Sequence, residues 1–459
     1  MQLVAYGAQD IYLTGNPQIT FFKIVYRRHT NFALESIEQT FNGNADFGKK
    51  VTCSISRNGD LISRIYLRVE VPSVTLKPGQ AFRWLNWMGH VLIRNVEIEI
   101  GGQRIDKHGG EWLHIWNELT QTAGRSLGYA NMVGNSPEMT QMYYNAPTSS
   151  TNVTVPGTTL YIPFQFWFNN NPGLALPLIA LQYHEVKINL ELRDAREMYW
   201  CGNYDGTSFT TDPTGSLVGS LSLNQATLYV DYVFLDTEER KRFAQVSHEY
   251  LITQAQWVDE STTISNPKIK LVFNHPCKEL IFVGQDDSIV TDNYTNPTTK
   301  LQTPLYGRQW FNFTNAPEYV FPSTTDTMAN ASSGGAGGYM DQTFNVDLSG
   351  DNMVQWGKLV LNGHDRFSPQ RDGRYFNLVQ PYQHHENIPT KGINVYSFAV
   401  KPEEHQPSGS CNMSRIDTAI LNLSLNVSSN SAVTRVKIYT VNYNVLRIMS
   451  GMGGLAYSD

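Results

Sequence analysis

The sequence predicts an all-β protein of two consecutive eight-stranded jelly rolls, a double jelly roll with a few short helices in its loops. Three observations support this prediction. Segments such as "RIYLRVEV" and "TLYVDYVFL" alternate apolar and polar residues, which is the period of a half-buried strand. Glycine and proline number 35 and 21, as expected where turns join many short strands. Four landmarks of the first half return in the same order in the second half.

The four landmarks are short strand patterns with their turns. "EIEIGGQRID" pairs with "KLVLNGHDRF", "PFQFWFNNNPGLALP" with "VYSFAVKPEEHQPSG", "EVKINLEL" with "TAILNLSL", and "YVDYVFL" with "TVNYNVL". The first pair places Gly101-Gly102 opposite Asn362-Gly363, and a two-residue hairpin turn favours residues that accept positive φ at both positions. Each half is too long for an immunoglobulin-like sandwich of about 100 residues, so a jelly roll is the better prediction.

The order of segments follows from these patterns. We expect an N-terminal arm over residues 1–18, a first jelly roll over 19–236, a connector over 237–247 and a second jelly roll over 248–459. The connector sequence "DTEERKRFAQ" begins with an Asp-Thr cap and predicts a short charged helix. Long polar inserts over about 119–159 and 288–340 predict elaborated surface loops.

A second helix is predicted after the Gly-Gly hairpin. The segment "GEWLHIWNELTQ" runs from Gly110 to Gln121 and spaces its large apolar residues at helical intervals. The residues expected to share one face are Trp112, Leu113, Ile115, Trp116 and Leu119.

The content of charged and aromatic residues favours some classes of function over others. Charged residues make up 17% of the chain, below the roughly 25% of an average soluble protein. Aromatic residues make up 12%, which favours large surfaces that face other protein. The net charge of −6 argues against direct nucleic-acid contact, which requires clustered Lys and Arg. The one small basic cluster, Lys23, Arg27 and Arg28 with His29, predicts a solvated strand face.

The cysteines and the lengths of the apolar segments indicate the cellular compartment in which the chain is made. Cys53, Cys201, Cys277 and Cys411 lie far apart and form no CxxC pair, which predicts four reduced, partly buried thiols and no zinc site. Reduced thiols suit synthesis in a cytosol. We expect neither a secretory signal nor a membrane span, because no basic and apolar leader and no run of 18 apolar residues occurs.

Several short motifs resemble chemical sites but lack the required context. "GNADFGKK" ends in Lys50 where a phosphate-binding loop needs Ser or Thr, and a strand pattern follows it. "HGGEWLHIWNE" and "QHHENI" contain His and Glu without a metal-ligand spacing, and the glycine-rich "SGGAGGYM" and "SGMGGLAYSD" predict flexible segments. We therefore predict no catalytic, cofactor-binding or metal residues and no cofactor.

A family resemblance runs from end to end of the chain. The segments that carry it include "LVAYGAQDIYLTGNPQITFFKIVYRRHTNFA", "EIEIGGQRIDKH", "PGLALPLIALQYHEVK", "DYVFLDTEERKRFAQVSHEYLI" and "YSFAVKPEEHQPSGSCNMSRID". The sequence resembles the major capsid proteins of large icosahedral nucleocytoplasmic DNA viruses, the group that contains the chlorella viruses, iridoviruses and marseilleviruses. Residues 121–159, 201–221 and 286–351 carry little of the resemblance.

The resemblance implies a structural protein rather than an enzyme. It implies a double jelly roll, a homotrimer with a pseudo-hexagonal outline, and trimers that tile the faces of an icosahedral virion shell after synthesis in the host cytoplasm. The implied partners are further copies of the chain and the minor capsid and penton proteins. An internal membrane would be met only indirectly and nucleic acid not at all, while glycans on the surface loops are an open possibility.

Two other classes of protein remain as alternatives at this stage. A carbohydrate-binding or carbohydrate-cleaving jelly roll would present exposed Trp, Asn and Asp side chains on a concave face. A nucleic-acid-binding β protein is disfavoured by the charge of −6. A chain rich in Ser, Thr and Asn is expected to contain several Asn-x-Ser/Thr sequons by chance. The seven found here are at Asn152, Asn293, Asn312, Asn330, Asn412, Asn422 and Asn426.

Overall fold

The fold is known from a computed structural model. It describes residues 7–205, 209–212, 219–290, 308–316, 319–321, 337–339, 345–347, 350–367, 370–427 and 433–457. Most of the predicted 288–340 loop therefore lies outside the described residues.

Strands dominate both halves of the chain. Those of the first half are β1 Phe32–Gln39, β2 Lys50–Ser54, β3 Leu61–Val71, β4 Val74–Leu76, β5 Gln80–Trp84, β6 Ile93–Ile100, β7 Gln103–His108, β8 Tyr143–Asn145, β9 Val153–Val155, β10 Thr158–Pro163, β11 Leu176–Pro177, β12 Val186–Leu192, β13 Tyr199–Tyr204, β14 Phe209–Thr211 and β15 Gln225–Leu235. Those of the second half are β16 His248–Thr262, β17 Lys268–Lys270, β18 Pro276–Asp286, β19 Tyr319–Phe321, β20 Gly337–Tyr339, β21 Asn345–Asp347, β22 Val354–Leu361, β23 His364–Asp365, β24 Arg371–Asp372, β25 Ile393–Ser397, β26 Cys411–Asn412, β27 Ala419–Leu425, β28 Thr434–Met449 and β29 Met452–Leu455.

Helices are short and occupy the connections. They are α1 Ile11–Thr14, α2 Met88–Leu92, α3 Gly110–Thr120, α4 Ala123–Met132, α5 Pro137–Thr140, α6 Trp167–Asn170, α7 Thr237–Gln245, α8 Asp287–Val290 and α9 Gln380–His384, with a π-helical turn over Tyr375–Val379. Both predicted helices are confirmed as α3 and α7. The Asp236 carboxylate accepts a hydrogen bond from the Thr237 amide and so caps the start of α7.

The two halves have the same sheet topology. The first half pairs its strands in the orders β1-β15-β3-β10 and β2-β12-β6-β7. The second half repeats both orders as β16-β28-β18-β25 and β17-β27-β22-β23. Each half thus contains two sheets built on four-strand paths, with short strands added at the side of three of them, which confirms the predicted pair of eight-stranded jelly rolls.

The predicted duplication is confirmed for three of the four landmark pairs. The glycine-bearing landmarks are the β6-β7 and β22-β23 hairpins, and two further pairs fall on equivalent strands, β12 with β27 and β15 with β28. The remaining pair matches only in part, because "VYSFAV" begins on β25 whereas "PFQFWFNNN" leaves β10 at Pro163 and continues into α6. Gly101 and Gly102 have φ of 58° and 87°, while Asn362 and Gly363 have φ of 50° and 77°. All four turn residues thus adopt the positive φ that this hairpin requires.

Each jelly roll encloses its own core of buried apolar side chains. Strand β12 shows the alternation clearly, because Val186, Ile188, Leu190 and Leu192 are buried and the residues between them are half-buried. The core of the second half is centred on β18, β22, β27 and β28 and includes the buried ring of Phe282 against Phe376. The two cores are largely separate, although Ile252, Leu446 and Ile448 of the second half pack into the first core.

Three local predictions were wrong. The basic cluster at residues 23–29 is not on a strand, because β1 begins only at Phe32. The 119–159 insert is not simply a loop, because it contains α4 and α5 and buries Tyr129 and Met139. Neither glycine-rich segment is flexible throughout, because Gly337–Tyr339 forms β20, paired with β8, and Met452–Leu455 forms β29, paired with β28. In the last two cases contacts with distant parts of the chain decided the structure.

Candidate assembly surfaces

Helix α3 joins the two jelly rolls. It follows β7 of the first jelly roll, and Leu113 packs into that half's core. The opposite side packs on the second jelly roll, where Trp112, Ile115 and Leu119 meet Ile281, Val395 and Tyr439. The Trp112 ring lies 5.4 Å from that of Tyr439. The predicted apolar face is therefore divided between the first core and a separate apolar cluster at the junction, which fixes the halves relative to each other.

Polar contacts reinforce this junction. Glu111 at the start of α3 forms an ion pair with Lys437 on β28, and both side chains are largely buried. At the other end of the helix the Leu119 carbonyl accepts a hydrogen bond of 3.1 Å from the Asn387 amide. An ion pair shielded from water is screened by salt far less than a surface pair.

Strand β7 faces β16 at a second point of the junction, around the buried Asp106. Its Oδ1 accepts hydrogen bonds from the amides of Lys107 at 2.9 Å and Ala255 at 3.3 Å. The neighbouring Lys107 ammonium pairs with Glu97 instead. Burial raises the pKa of Asp106 to about 8, although the two amides oppose the shift.

The Asp106→Asn variant is expected to be more stable than the wild type at pH 8. Because the folded-state pKa is above the unfolded value of 3.8, the wild type loses stability as the pH rises from about 4 to about 8. Asparagine keeps the accepting oxygen but does not titrate. Urea unfolding between pH 5 and 9 should show a flatter profile for the variant; equal slopes for the two proteins would contradict this assignment.

The C-terminal hairpin, formed by β28 and β29, packs against the Gly101-Gly102 turn. The Gly453 carbonyl oxygen lies 3.0 Å from His184 Nδ1, and the Leu455 amide donates to Gln103 Oε1 at 3.2 Å. A Cβ on Gly101 would lie 2.2 Å from His184 Nδ1. Gly101 is thus required both for positive φ and for the close approach of the His184 ring, which in turn contacts Gly453 of the C-terminal hairpin.

A buried charge cluster fixes the loop between β25 and β26. His385 donates from Nε2 to Glu279 and from Nδ1 to Glu403, both at 2.8 Å. Lys278 Nζ donates to the Pro402 carbonyl at 3.0 Å. Burial disfavours the His385 imidazolium, but Glu279 and Glu403 more than offset this and raise its pKa to about 10. The cluster ties loop 398–410 to β18.

The N-terminal segment before β1 exposes a run of large apolar side chains. Residues with 68–98% of their surface exposed are Ile11, Tyr12, Leu13, Ile19, Phe21, Phe22, Ile24, Val25 and Tyr26. Lys23, Arg27 and Arg28 lie among them. Monomeric soluble proteins rarely expose so many adjacent large apolar side chains, so this segment is a candidate assembly surface.

A second exposed apolar patch lies on the second jelly roll. Leu378, Val379 and Tyr382 project from the helical turns at 375–384. The exposed Val400 lies beside them because the His384 imidazole donates to its carbonyl oxygen at 2.9 Å. This patch stands next to the loop that the charge cluster fixes.

The motifs examined in the sequence fall in structural positions. Gly43 and Gly48 of "GNADFGKK" have φ of 98° and 71° and form a turn before β2, as predicted. His108 and His114 are buried, and burial lowers the pKa of each to about 3. Within the described residues no three His, Cys, Asp or Glu side chains are arranged to hold a metal ion. No helix of that part is long and apolar enough to cross a membrane.

Tryptophan placement bears on the carbohydrate alternative. All nine tryptophans lie in described segments, and each is buried or half-buried. Aromatic platforms for sugars need an exposed ring face. The exposed Trp side chains that would favour a carbohydrate-binding jelly roll are therefore not present.

Two family models match the chain in succession. The model described as "Major capsid protein N-terminus" matches residues 20–236. The model described as "Large eukaryotic DNA virus major capsid protein" matches residues 239–454. The two matches meet at α7, the helix that connects the jelly rolls.

Individual relatives cover the whole chain. The major capsid protein of Phaeocystis pouchetii virus is 50% identical, with 100% of this chain and 99% of the relative covered. That of Paramecium bursaria Chlorella virus 1 is 42% identical over the same shares. The PBCV-1 virus capsid structure superposes with a TM-score of 0.70 at 36% identity, covering 96% of this chain and 100% of the other. The Faustovirus major capsid protein has the same TM-score at 13% identity, covering 97% and 94%, and so shares the fold.

The duplicated fold and these relatives define a viral capsid protein of the double jelly-roll class. The chain belongs to the family of major capsid proteins of large eukaryotic DNA viruses. Its function is structural, since it assembles with further copies of itself into the viral shell. The carbohydrate-binding alternative finds no support among these relatives.

Proposed function

We propose that three copies of this chain form a homotrimer with a pseudo-hexagonal outline, and that such trimers tile the faces of the icosahedral shell. The single observation that carries this proposal is the repeated sheet order in the two halves. Two like sandwiches per chain and three chains per trimer give six similar corners. The α3 junction keeps the corners in register, because it holds both jelly rolls through one packed helix.

The exposed apolar surfaces outside the 1–18 arm support an obligate trimer. Residues 19–26 and the patch around Tyr382 present large apolar side chains that a stable partner would bury. Obligate interfaces bury about 2,000–5,000 Å² and are more apolar than the remaining surface. Contacts between trimers are proposed to be weaker and more polar, so that misplaced trimers can dissociate and rebind.

The remaining assignments are proposals as well. Residues 1–18 form an arm on the inner side of the shell and meet minor capsid proteins, while 19–236 and 248–459 form the jelly rolls on either side of the 237–247 connector. Penton proteins contact the trimers at the vertices. The internal membrane is met only indirectly, and the net charge of −6 argues against direct contact with nucleic acid. The protein is made in the host cytoplasm, carries out no catalysis, and bears any glycans on its surface loops.

Electron microscopy of the purified protein tests this proposal. Class averages should show a six-cornered particle with threefold symmetry. Two-lobed particles without threefold symmetry would contradict it. A glycan-array screen and a hydrolase assay on the same preparation would detect the alternative function.

Deleting residues 2–18 is expected to leave trimers intact and to impair shell assembly. Within the described part of this segment Tyr12 and Leu13 are almost fully exposed, so its removal should not disturb either core. Sedimentation would measure the trimer, and particle yield in an assembly reaction would measure the shell. Loss of the trimer on deletion would refute an inner-side role for these residues.

A further inference from the structure

Two of the four cysteines lie directly opposite each other although 133 residues separate them in the sequence. Cys277 on β18 and Cys411 on β26 are register partners in an antiparallel ladder. Both thiols are free in the structure. We propose that Cys277 and Cys411 form a reversible cross-strand disulfide when the protein meets an oxidising low-molecular-weight disulfide.

The backbone spacing suits such a bond. The Met413 amide donates to the His275 carbonyl, so alternation along the ladder makes Cys277 and Cys411 a hydrogen-bonded pair. Such pairs have Cα atoms about 5.5 Å apart, within the roughly 4.4–6.8 Å range of disulfides. The Cβ atoms of opposite residues are about 4.5–5.5 Å apart, and a disulfide needs about 3.5–4.5 Å, so an approach of about 1 Å is required.

The local structure permits this approach. Strand β26 is only two residues long and pairs with β18 alone. The residues just before it, Gly409 and Ser410, are exposed. The Cys277 thiol contacts the Thr440 hydroxyl and the Glu279 carbonyl. To reach the Cys411 sulfur, the Cys277 side chain must rotate about χ1 and give up these two contacts.

The different exposure of the two thiols determines the order of the two exchange reactions. Cys411 is half-buried, whereas Cys277 is fully buried. The Cys411 thiolate attacks oxidised glutathione, forming a mixed disulfide and releasing one glutathione thiolate. The Cys277 thiolate then attacks the Cys411 sulfur and releases the second glutathione, so two protein thiols are oxidised and one glutathione disulfide is reduced. Burial raises the pKa of both thiols, for Cys277 to about 12, which makes the exchange slow near neutral pH.

The proposed disulfide is a covalent state of each subunit and does not depend on shell formation. Thiols stay reduced in a cytosol, whereas a released particle meets an oxidising medium. The bond would enclose a long loop and tie the β26 edge to β18. A closed loop of this size restricts the unfolded chain and stabilises the folded one.

Incubation of the full-length protein with oxidised glutathione at pH 8.5 tests the inference. We expect two of the four thiols to disappear and non-reducing peptide mapping to find Cys277 linked to Cys411. The thermal midpoint should rise by on the order of 5–10 °C and return on reduction. The matched control, Cys53→Ser, should still form the bond, while Cys411→Ser and Cys277→Ser should show no oxidative shift. Four free thiols after incubation, a lasting glutathione adduct on Cys411, or a link through another cysteine would each overturn the proposal.

Discussion

Replacing His385 by Leu is expected to lower the free energy of unfolding by about 3–5 kcal/mol, because it leaves a buried carboxylate without its partner. Glu279 and the His385 side chain are fully buried. Glu403 is partly exposed and can turn to water, but Glu279 cannot. Urea unfolding at pH 7 of the wild type and the variant measures the difference.

Two further variants separate the lost ion pair from lost packing. His384→Leu changes the adjacent histidine, whose side chain donates only one exposed hydrogen bond to Val400, and should cost no more than about 1.5 kcal/mol. The double variant Glu279→Met with His385→Leu removes both charges and should recover most of the loss. If the double variant were as unstable as His385→Leu, the buried charge would not be the cause.

The same ion cluster predicts how stability depends on pH. The folded-state pKa of His385, about 10, lies above its ordinary value of 6.5. Its contribution is therefore complete below about pH 6.5 and is lost as the pH rises toward 10. In His385→Leu this alkaline loss should disappear.

Replacing Trp112 by Ala is expected to cost about 3–5 kcal/mol and to loosen the two jelly rolls. The Trp112 ring stands between α3 and the second jelly roll, where it contacts Trp116 and Tyr439. Its removal leaves a cavity at the junction rather than inside either core. Hydrogen exchange should therefore rise first in α3, β25 and β28, while the central strands of each sandwich remain protected.

The control for this variant is Leu127→Ala on the neighbouring helix α4. Leu127 is 74% exposed, so its truncation should change stability by no more than about 0.5 kcal/mol. Uniformly increased exchange in Trp112→Ala would mean that the halves unfold as one unit. The junction would then not be a separate point of weakness.

The duplicated fold was predictable because its signals are local. Strand alternation and the positive-φ turns at Gly101-Gly102 and Asn362-Gly363 each depend on only a few adjacent residues. Helix α3 was predictable for the same reason, since its apolar spacing has the helical period. What this pattern could not show is that Leu113 packs into the first core while Trp112 packs into the junction with the second jelly roll.

Features that depend on distant residues escaped prediction. "SGMGGLAY" looks flexible on its own, and it is ordered by His184 and Gln103 from the other half. The His385 and Glu279 pair and the Cys277 and Cys411 pair each join residues more than 100 positions apart. The exposed segment at residues 19–31 has strand-forming composition but pairs with no strand in the structure of the single chain.

The mass of the purified protein in solution tests the central claim most directly. Three chains of 51.8 kDa give a particle of about 155 kDa. Sedimentation equilibrium or native mass spectrometry at micromolar concentration should find this trimer as the main species. A stable monomer of 51.8 kDa that persists at high protein concentration would contradict the account of this chain as a trimeric building block of the shell.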